Sequence, residues 1–291
     1  MPSGRKLKEI FFETAIRASG VASIFIVGLI FFFLFKEGIM LFQTQKLSGF
    51  LFGKNWYPIS EPGEFGILPL ISGTILVTLG AAVLSVPLGI AAAIYIAEVA
   101  PPQSKEILKS GVELLAAIPS VVLGFIGIVT VVPWIKNTFH APTGLTAFAG
   151  AVVLAFMAMP TIVSIAEDAL YSVPKTYKEG AYALGATQWQ TIWRVVLPAA
   201  SSGIVAAVML GIGRVVGETM AVMMVTGNSP SMPRGIFYPV RTLTATIAAE
   251  MGETVRGSDH YFSLFAIGIV LFVITFAVNM TADLVVHRKR K

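Results

Sequence analysis

The sequence predicts an all-α integral membrane protein, a polytopic bundle of about six transmembrane helices. Three observations predict it. Of 291 residues, 55% are hydrophobic and only 13% are Asp, Glu, Lys or Arg, where a soluble domain carries about 25% charged residues. The mean hydropathy is +0.79. The apolar residues also arrive in long blocks, several exceeding the ~20 residues needed to cross a bilayer as a helix. No stretch between them is long enough for a soluble catalytic domain. The absence of cysteine excludes a thiol nucleophile, thiolate metal ligation and disulfides. The net charge of +5 calls for no nucleic-acid partner, because the basic residues cluster at membrane-flanking ends.

The first block runs from about Ala18 to Phe35, behind a basic leader (residues 1–17) holding Arg5, Lys6, Lys8 and Arg17. A cleaved signal would have a shorter apolar region and a small-residue cleavage site; the bulky run FFFLFKEG predicts a retained helix. Its richness in Phe places it on the lipid-facing periphery. It forms, with the long outer loop that follows, a region of residues 18–66 ahead of a core of residues 67–291. The second block is about Leu68–Ala97, the third Val112–Ile135, the fourth Leu145–Ala166, the fifth Ile204–Thr226 and the sixth Phe262–Val286. Pro87 and Pro160 fall inside the second and fourth, as kinks that neighbouring helices can re-satisfy. Pro119 falls near the start of the third. Gly and Ala are dense in blocks two to five, which predicts close helix packing against protein.

Orientation follows from the basic residues. With the N-terminus in the cytoplasm, thirteen Lys and Arg lie inside and seven outside, Arg214 alone remaining within a span. Four of the thirteen are the tail RKRK. Both termini are expected in the cytoplasm. The segment Thr242–Glu253 is apolar but too short to span, and reads as a short helix on the outer face or dipping into the bundle mouth.

The stretch of about residues 172–198 carries the most specific pattern, VPKTYKEGAYALGATQWQTIWRVVLP at 173–198. Ala183, Leu184, Trp189, Ile192 and Trp193 recur at helical spacing around Gly185. They predict a helix–turn–helix that either offers an apolar knob to a partner or rests on lipid. The spacing Glu-x-Ala-x3-Gly-x9-Val-x-Leu-Pro resembles the EAA loop of ABC importer permeases. Glu179, Ala181, Gly185, Val195, Leu197 and Pro198 fall at the matching positions, with Gly180 replacing the family's middle Ala. The resemblance implies a type I ABC importer permease fold and a loop that docks on a separate cytoplasmic ATPase. The chain contains no G-x-x-x-x-G-K-[ST] loop to cradle nucleotide phosphates, so it is not itself an ATPase by that route.

In the fifth block, Arg214 and Glu218 stand four positions apart and are expected to share one helix face. Charges inside a bilayer cost at least ~2.5–3.5 kcal/mol each, and face a bundle interior or watery cavity. Two readings stay open here: a structural pair pinning two helices, or a pathway pair in which the Arg fork meets an oxyanion while Glu218 moderates it. The strings GRVVGETMAVMMVTGNSP, TLTATIAAEMGE and FLFGKNWYP resemble the PstC-type permease subunits of phosphate ABC importers, from about Gly38 to Lys291. That resemblance implies phosphate uptake across a bacterial inner membrane by a complex. Its other members are a second permease, two ATPase copies and an extracytoplasmic phosphate-binding protein. It also implies that Arg214 and Glu218 take part in phosphate passage. The rivals are a permease for sulfate or molybdate, and an ion-coupled secondary transporter using Glu218 as a proton site.

Other polar residues are expected to be structural. Glu167 and Asp168 read as a solvated helix end, and Asn228 and Ser229 as a cap of the fifth span in preference to groups facing entering substrate. His140, His260 and His287 lie too far apart to hold a metal, and no cofactor is expected.

Overall fold

A computed structural model describes residues 3–288 of the chain; Lys289–Lys291 of the basic tail lie outside the described residues. The first helix, α1 (Ser3–Gly38), absorbs the leader and first block into one continuous helix. Residues 11–33 of it are exposed, and it touches the bundle through α14 (Asp259–Arg288), with the Phe31 and Phe272 rings 5.1 Å apart. The Phe-rich block is therefore peripheral, as its composition predicts.

After a 3-10 turn (Ile39–Gln43), α2 (Leu47–Phe52) and a small hairpin of β1 (Trp56–Tyr57) and β2 (Glu64–Phe65) close one end of the bundle. The second span is α3 (Leu68–Ile94), which continues as a π-helical turn over Tyr95–Val99. It then packs along α7 (Ala147–Tyr171), the most buried span. Both helices run unbroken through Pro87 and Pro160. Their close approach depends on missing side chains: a Cβ on Gly89 would lie 2.9 Å from Ile162. One on Gly211, from the far side, would lie 2.5 Å from the same residue. Ile162 is fully buried between them.

The third block divides. Residues Val112–Ala116 end a separate amphipathic helix, α4 (Pro102–Ala116), and the span proper is Ser120–Phe139. That span comprises α5 (Ser120–Ile126), a π turn, and α6 (Val132–Phe139). Pro119 causes the division, because its ring removes an N–H and drives Ile118 out of helical geometry.

Between the fourth and fifth spans lie α8 (Lys175–Ala183), α9 (Gln188–Thr191), a π turn (Ile192–Val196) and α10 (Leu197–Ala199). The chain then bends by 71° into α11 (Ser201–Val216). Leu197 and Pro198 sit in the last turn before the bend, directly after the π turn, and Pro198 has no N–H to donate to the helix behind it. The fifth block is also two pieces, α11 and α12 (Met220–Val225), separated by Gly217, Glu218 and Thr219. Among the described residues, five helices are long and apolar enough to cross a membrane, or six if the bent pair counts as one span.

We call the end holding residues 99–119 and 172–200 the lower end, and the end holding 39–67 and 226–258 the upper end. A loop at the upper end caps α7: Ala147 and Phe148 donate their N–H groups to the carbonyls of Tyr238 (3.0 Å) and Ile236 (2.8 Å), while Thr146 accepts from Ala149. Three of the four orphan amides of that helix are thus satisfied. The segment Thr242–Glu253 does form a short helix, α13 (Leu243–Glu250), whose first turn is buried in the bundle.

Candidate functional site

The break in the fifth span is the first functional region. Arg214 lies in the last turn of α11, where the helix dipole favours a cation. Its side chain is exposed, and Nη1 donates to Thr161 Oγ1 on α7 at 3.3 Å. Glu218 is half-buried beyond the end of that helix, and its Oε1 accepts from the Ala221 N–H at 3.2 Å. The two charges form no ion pair. The expectation of one shared helix face is corrected here. Gly217, with no Cβ to favour continued helix, ends α11, and Glu218 then accepts from the Ala221 amide in the first turn of α12 rather than meeting Arg214.

The break is held from the side by α13. Thr244 Oγ1 donates to the Glu218 carbonyl at 2.8 Å, Thr242 caps its own helix at Ala245, and the Leu243 N–H donates to Thr74 on α3 at 3.0 Å. Three helix ends therefore meet around Glu218, held by backbone, hydroxyl and carboxylate partners, while Arg214 keeps most of its five N–H donors free for another acceptor. Asn228 caps α12 as its sequence position predicts, donating from Nδ2 to the Met223 carbonyl at 2.6 Å.

The second region is the helix–turn–helix at the lower end. Gly185 has φ +82°, in the left-handed region open to glycine at little cost. Gly185 and Ala186 donate to the carbonyls of Tyr182 (2.9 Å) and Ala181 (3.1 Å), closing α8 with paired bonds. Thr187 and Gln190 then open α9 as a reciprocal capping box. Leu184 is 90% exposed, and Trp189 and Trp193 are more than half exposed. Glu179 and Pro198 are exposed, and Ala181 and Leu197 half-buried, on the same segment. Ile192 is corrected: it turns inward and is buried with Val163, Ala166 and Leu170. The outward knob is thus Ala183, Leu184, Trp189 and Trp193.

Sequence reasoning missed the charges that hold this end together. Glu167 is not a solvated helix end but is buried, paired with Lys105 (3.3 Å) and Lys109 (2.8 Å) of α4. Asp168 stays exposed and also meets Lys109 at 3.2 Å. Hydrogen bonds from Lys109 to Glu167 and then Asp168 hold the lysine charge above its ordinary range. Glu98, at the end of the second span, pairs with Lys178 of α8 at 2.6 Å. At the upper end, the Glu250 carboxylate gathers Trp56 Nε1 (3.1 Å), Arg241 and His260 Nε2 (2.8 Å). The only local signal for these clusters is an acidic residue at the edge of an apolar block, which does not name its partner.

Among the described residues no group of His, Asp or Glu has the arrangement of a metal site.

An apolar bundle with a broken span bearing an unpaired cation, and a helix–turn–helix offering aromatic residues at one end, is the architecture of a membrane permease subunit. The chain belongs to the family of binding-protein-dependent transport system inner membrane components, whose model matches residues 85–291. It is 42% identical over 274 residues to the probable ABC transporter permease protein YqgH of Bacillus subtilis, covering 94% of this chain and 89% of that one. It is 36% identical over 301 residues to the phosphate transport system permease protein PstC of Mesorhizobium japonicum, covering 97% and 91%. In fold it matches a chain of the MetNI methionine ABC transporter with a TM-score of 0.62 at 20% identity, over 79% of this chain and 99% of that one. It also matches a chain of a bacterial alginate ABC transporter solved with its periplasmic protein, with a TM-score of 0.66 at 16% identity over 99% and 98%. The fold is that of type I ABC importer permeases.

Proposed function

We propose that this chain is a permease subunit of an ATP-driven importer of inorganic phosphate, and that Arg214 is the residue of the pathway that meets the anion. One observation carries the reading. A chain matched over 97% of its length to a phosphate permease presents an Arg beside a break in a span, with a single hydrogen bond to its own protein. A guanidinium offers paired N–H donors that fit two oxygens of a tetrahedral oxyanion, and its remaining donors need an acceptor at that depth. Glu218 supports the break rather than neutralising Arg214, so its part in passage is to shape the opening. The lower end faces the cytoplasm, with both termini on that side. Leu184, Trp189 and Trp193 there dock on a separate ATPase present in two copies, through the segment that includes Glu179, Ala181, Gly185, Leu197 and Pro198. A second permease subunit completes the pathway against the Arg214 face, and an extracytoplasmic phosphate-binding protein delivers substrate to the upper end. The chain supplies no ATP-hydrolysing site of its own.

The test is uptake of radiolabelled phosphate by vesicles carrying the assembled complex, with ATP maintained and the proton gradient collapsed. Uptake should persist, and excess sulfate or molybdate should not compete. Competition by sulfate would move the substrate to another oxyanion, and loss of uptake with the gradient would make the transporter ion-driven.

A further inference from the structure

Both halves of the helix–turn–helix are fastened to one residue of the second span, Glu98. The reason begins with the sequence EVAPP at positions 98–102. In a continuing helix the Glu98 carbonyl would accept from the N–H of residue 102, but Pro102 has none. The carbonyl is therefore an orphan at a helix end, and Gln188 of α9 fills it, donating from Nε2 at 2.9 Å. The Glu98 carboxylate is taken separately by Lys178 of α8, at 2.6 Å. Lys178 and Gln188 lie on opposite sides of the Gly185 turn. The Glu98 side chain is 9% exposed and that of Lys178 22%, so water screens the pair weakly and separating it would leave charge poorly solvated.

Two attachments differ in consequence from one. A single contact would let the segment pivot on the end of the span, whereas contacts from both of its arms to one residue oppose rotation. Behind Glu98 the second span packs along α7, and α7 in turn holds Arg214 through Thr161. A push on α8 and α9 therefore enters the bundle through residue 98.

The structure assigns Glu98 as the positioning residue that transmits movement of the docking segment into the second span. The inference rests on the docking reading above. It predicts that loosening the joint spares ATPase association and ATP hydrolysis while lowering the phosphate moved per ATP.

The experiment uses the complete transporter in vesicles, with Glu98→Gln, Lys178→Met, and the exchanged pair Glu98→Lys with Lys178→Glu. The single variants should keep the ATPase bound and hydrolysing, with phosphate moved per ATP lowered at least fivefold, and the exchanged pair should recover at least half of the loss. Wild-type phosphate per ATP in both single variants overturns the inference, and so does release of the ATPase. Should the single variants fail to accumulate, the cysteine-free chain permits Glu98→Cys with Lys178→Cys, joined by a short bismaleimide. A joint that stays closed through the cycle keeps at least half of its uptake when cross-linked, and abolished uptake overturns the assignment. Trp189→Asp, with the Glu98 joint intact, tests the underlying reading by itself: an ATPase that remains bound to it defeats the docking surface, whatever the Glu98 variants do.

Discussion

The charges of the lower end and the charge in the middle of the bundle are treated in opposite ways. Glu167 is buried and answered by two lysines, and the Glu98 carboxylate by one lysine. Arg214 lies in a span, is exposed on the surface of the subunit, and has one hydroxyl at 3.3 Å. Each of the lower carboxylates joins elements distant in sequence, so its energy goes into shape. Arg214 joins little, and its donors stay available. The proposed role of Arg214 rests on this contrast: charge alone does not mark a residue that meets the anion, and charge left unanswered by its own subunit is what singles Arg214 out.

The sharpest way to break this comparison is Arg214→Gln. Complex yield should be unchanged, because no buried partner is orphaned, while phosphate uptake should fall more than tenfold, or over about 1.4 kcal/mol of lost stabilisation. Equal loss of yield and uptake would make Arg214 a structural clamp after all.

Glu167→Gln probes the other side. It removes two charge-assisted contacts at a buried site and should destabilise the detergent-solubilised complex by about 1.5–3 kcal/mol, read as a lower melting temperature. The phosphate moved per ATP by the surviving fraction should be unaltered. The Lys109 link behind it has a raised folded-state pKa, so its contribution is complete below the ordinary lysine value of 10.5. It fades only as pH climbs through the higher folded value. Stability should therefore show no loss from this link between pH 6 and pH 9 (a range set by about one unit of margin).

Glu218→Gln sharpens the comparison in the middle. The amide retains an oxygen to accept from Ala221, so the cost should be within about 1 kcal/mol, and uptake should change less than threefold by the same measure. A fall as deep as that of Arg214→Gln would return Glu218 to a direct part in passage. The smallest effect belongs to Arg17→Ala, whose exposed pair with Glu13 should contribute under about 0.5 kcal/mol, invisible in yield and uptake alike.

Much of this was legible in the sequence. The long apolar blocks place the spans because a bilayer accepts little else than a satisfied helix. The turn at Gly185 follows from residue spacing and from the low cost of positive φ in glycine, both local facts. The cap at Asn228 is local too. By contrast, Arg214 and Glu218 looked like one helical pair because periodicity does not record that Gly217 stops the helix. The resulting break is held by Thr244, 26 positions later in the chain, which donates to the Glu218 carbonyl.

The sequence by itself determined the membrane class, the order of the apolar blocks, and the helix–turn–helix around Gly185 with its aromatic residues. These depend on hydropathy and on interactions within a few residues. Only the tertiary structure decided which charges are spent and which are free. Glu98 finds Lys178 80 positions away and Gln188 90 positions away, Glu167 finds lysines 58 and 62 positions before it, and Arg214 finds a threonine 53 positions before it. Such pairings follow from which helices lie side by side. That arrangement is settled by small residues meeting across helices such as Gly89, Ile162 and Gly211, and no window along the chain contains it.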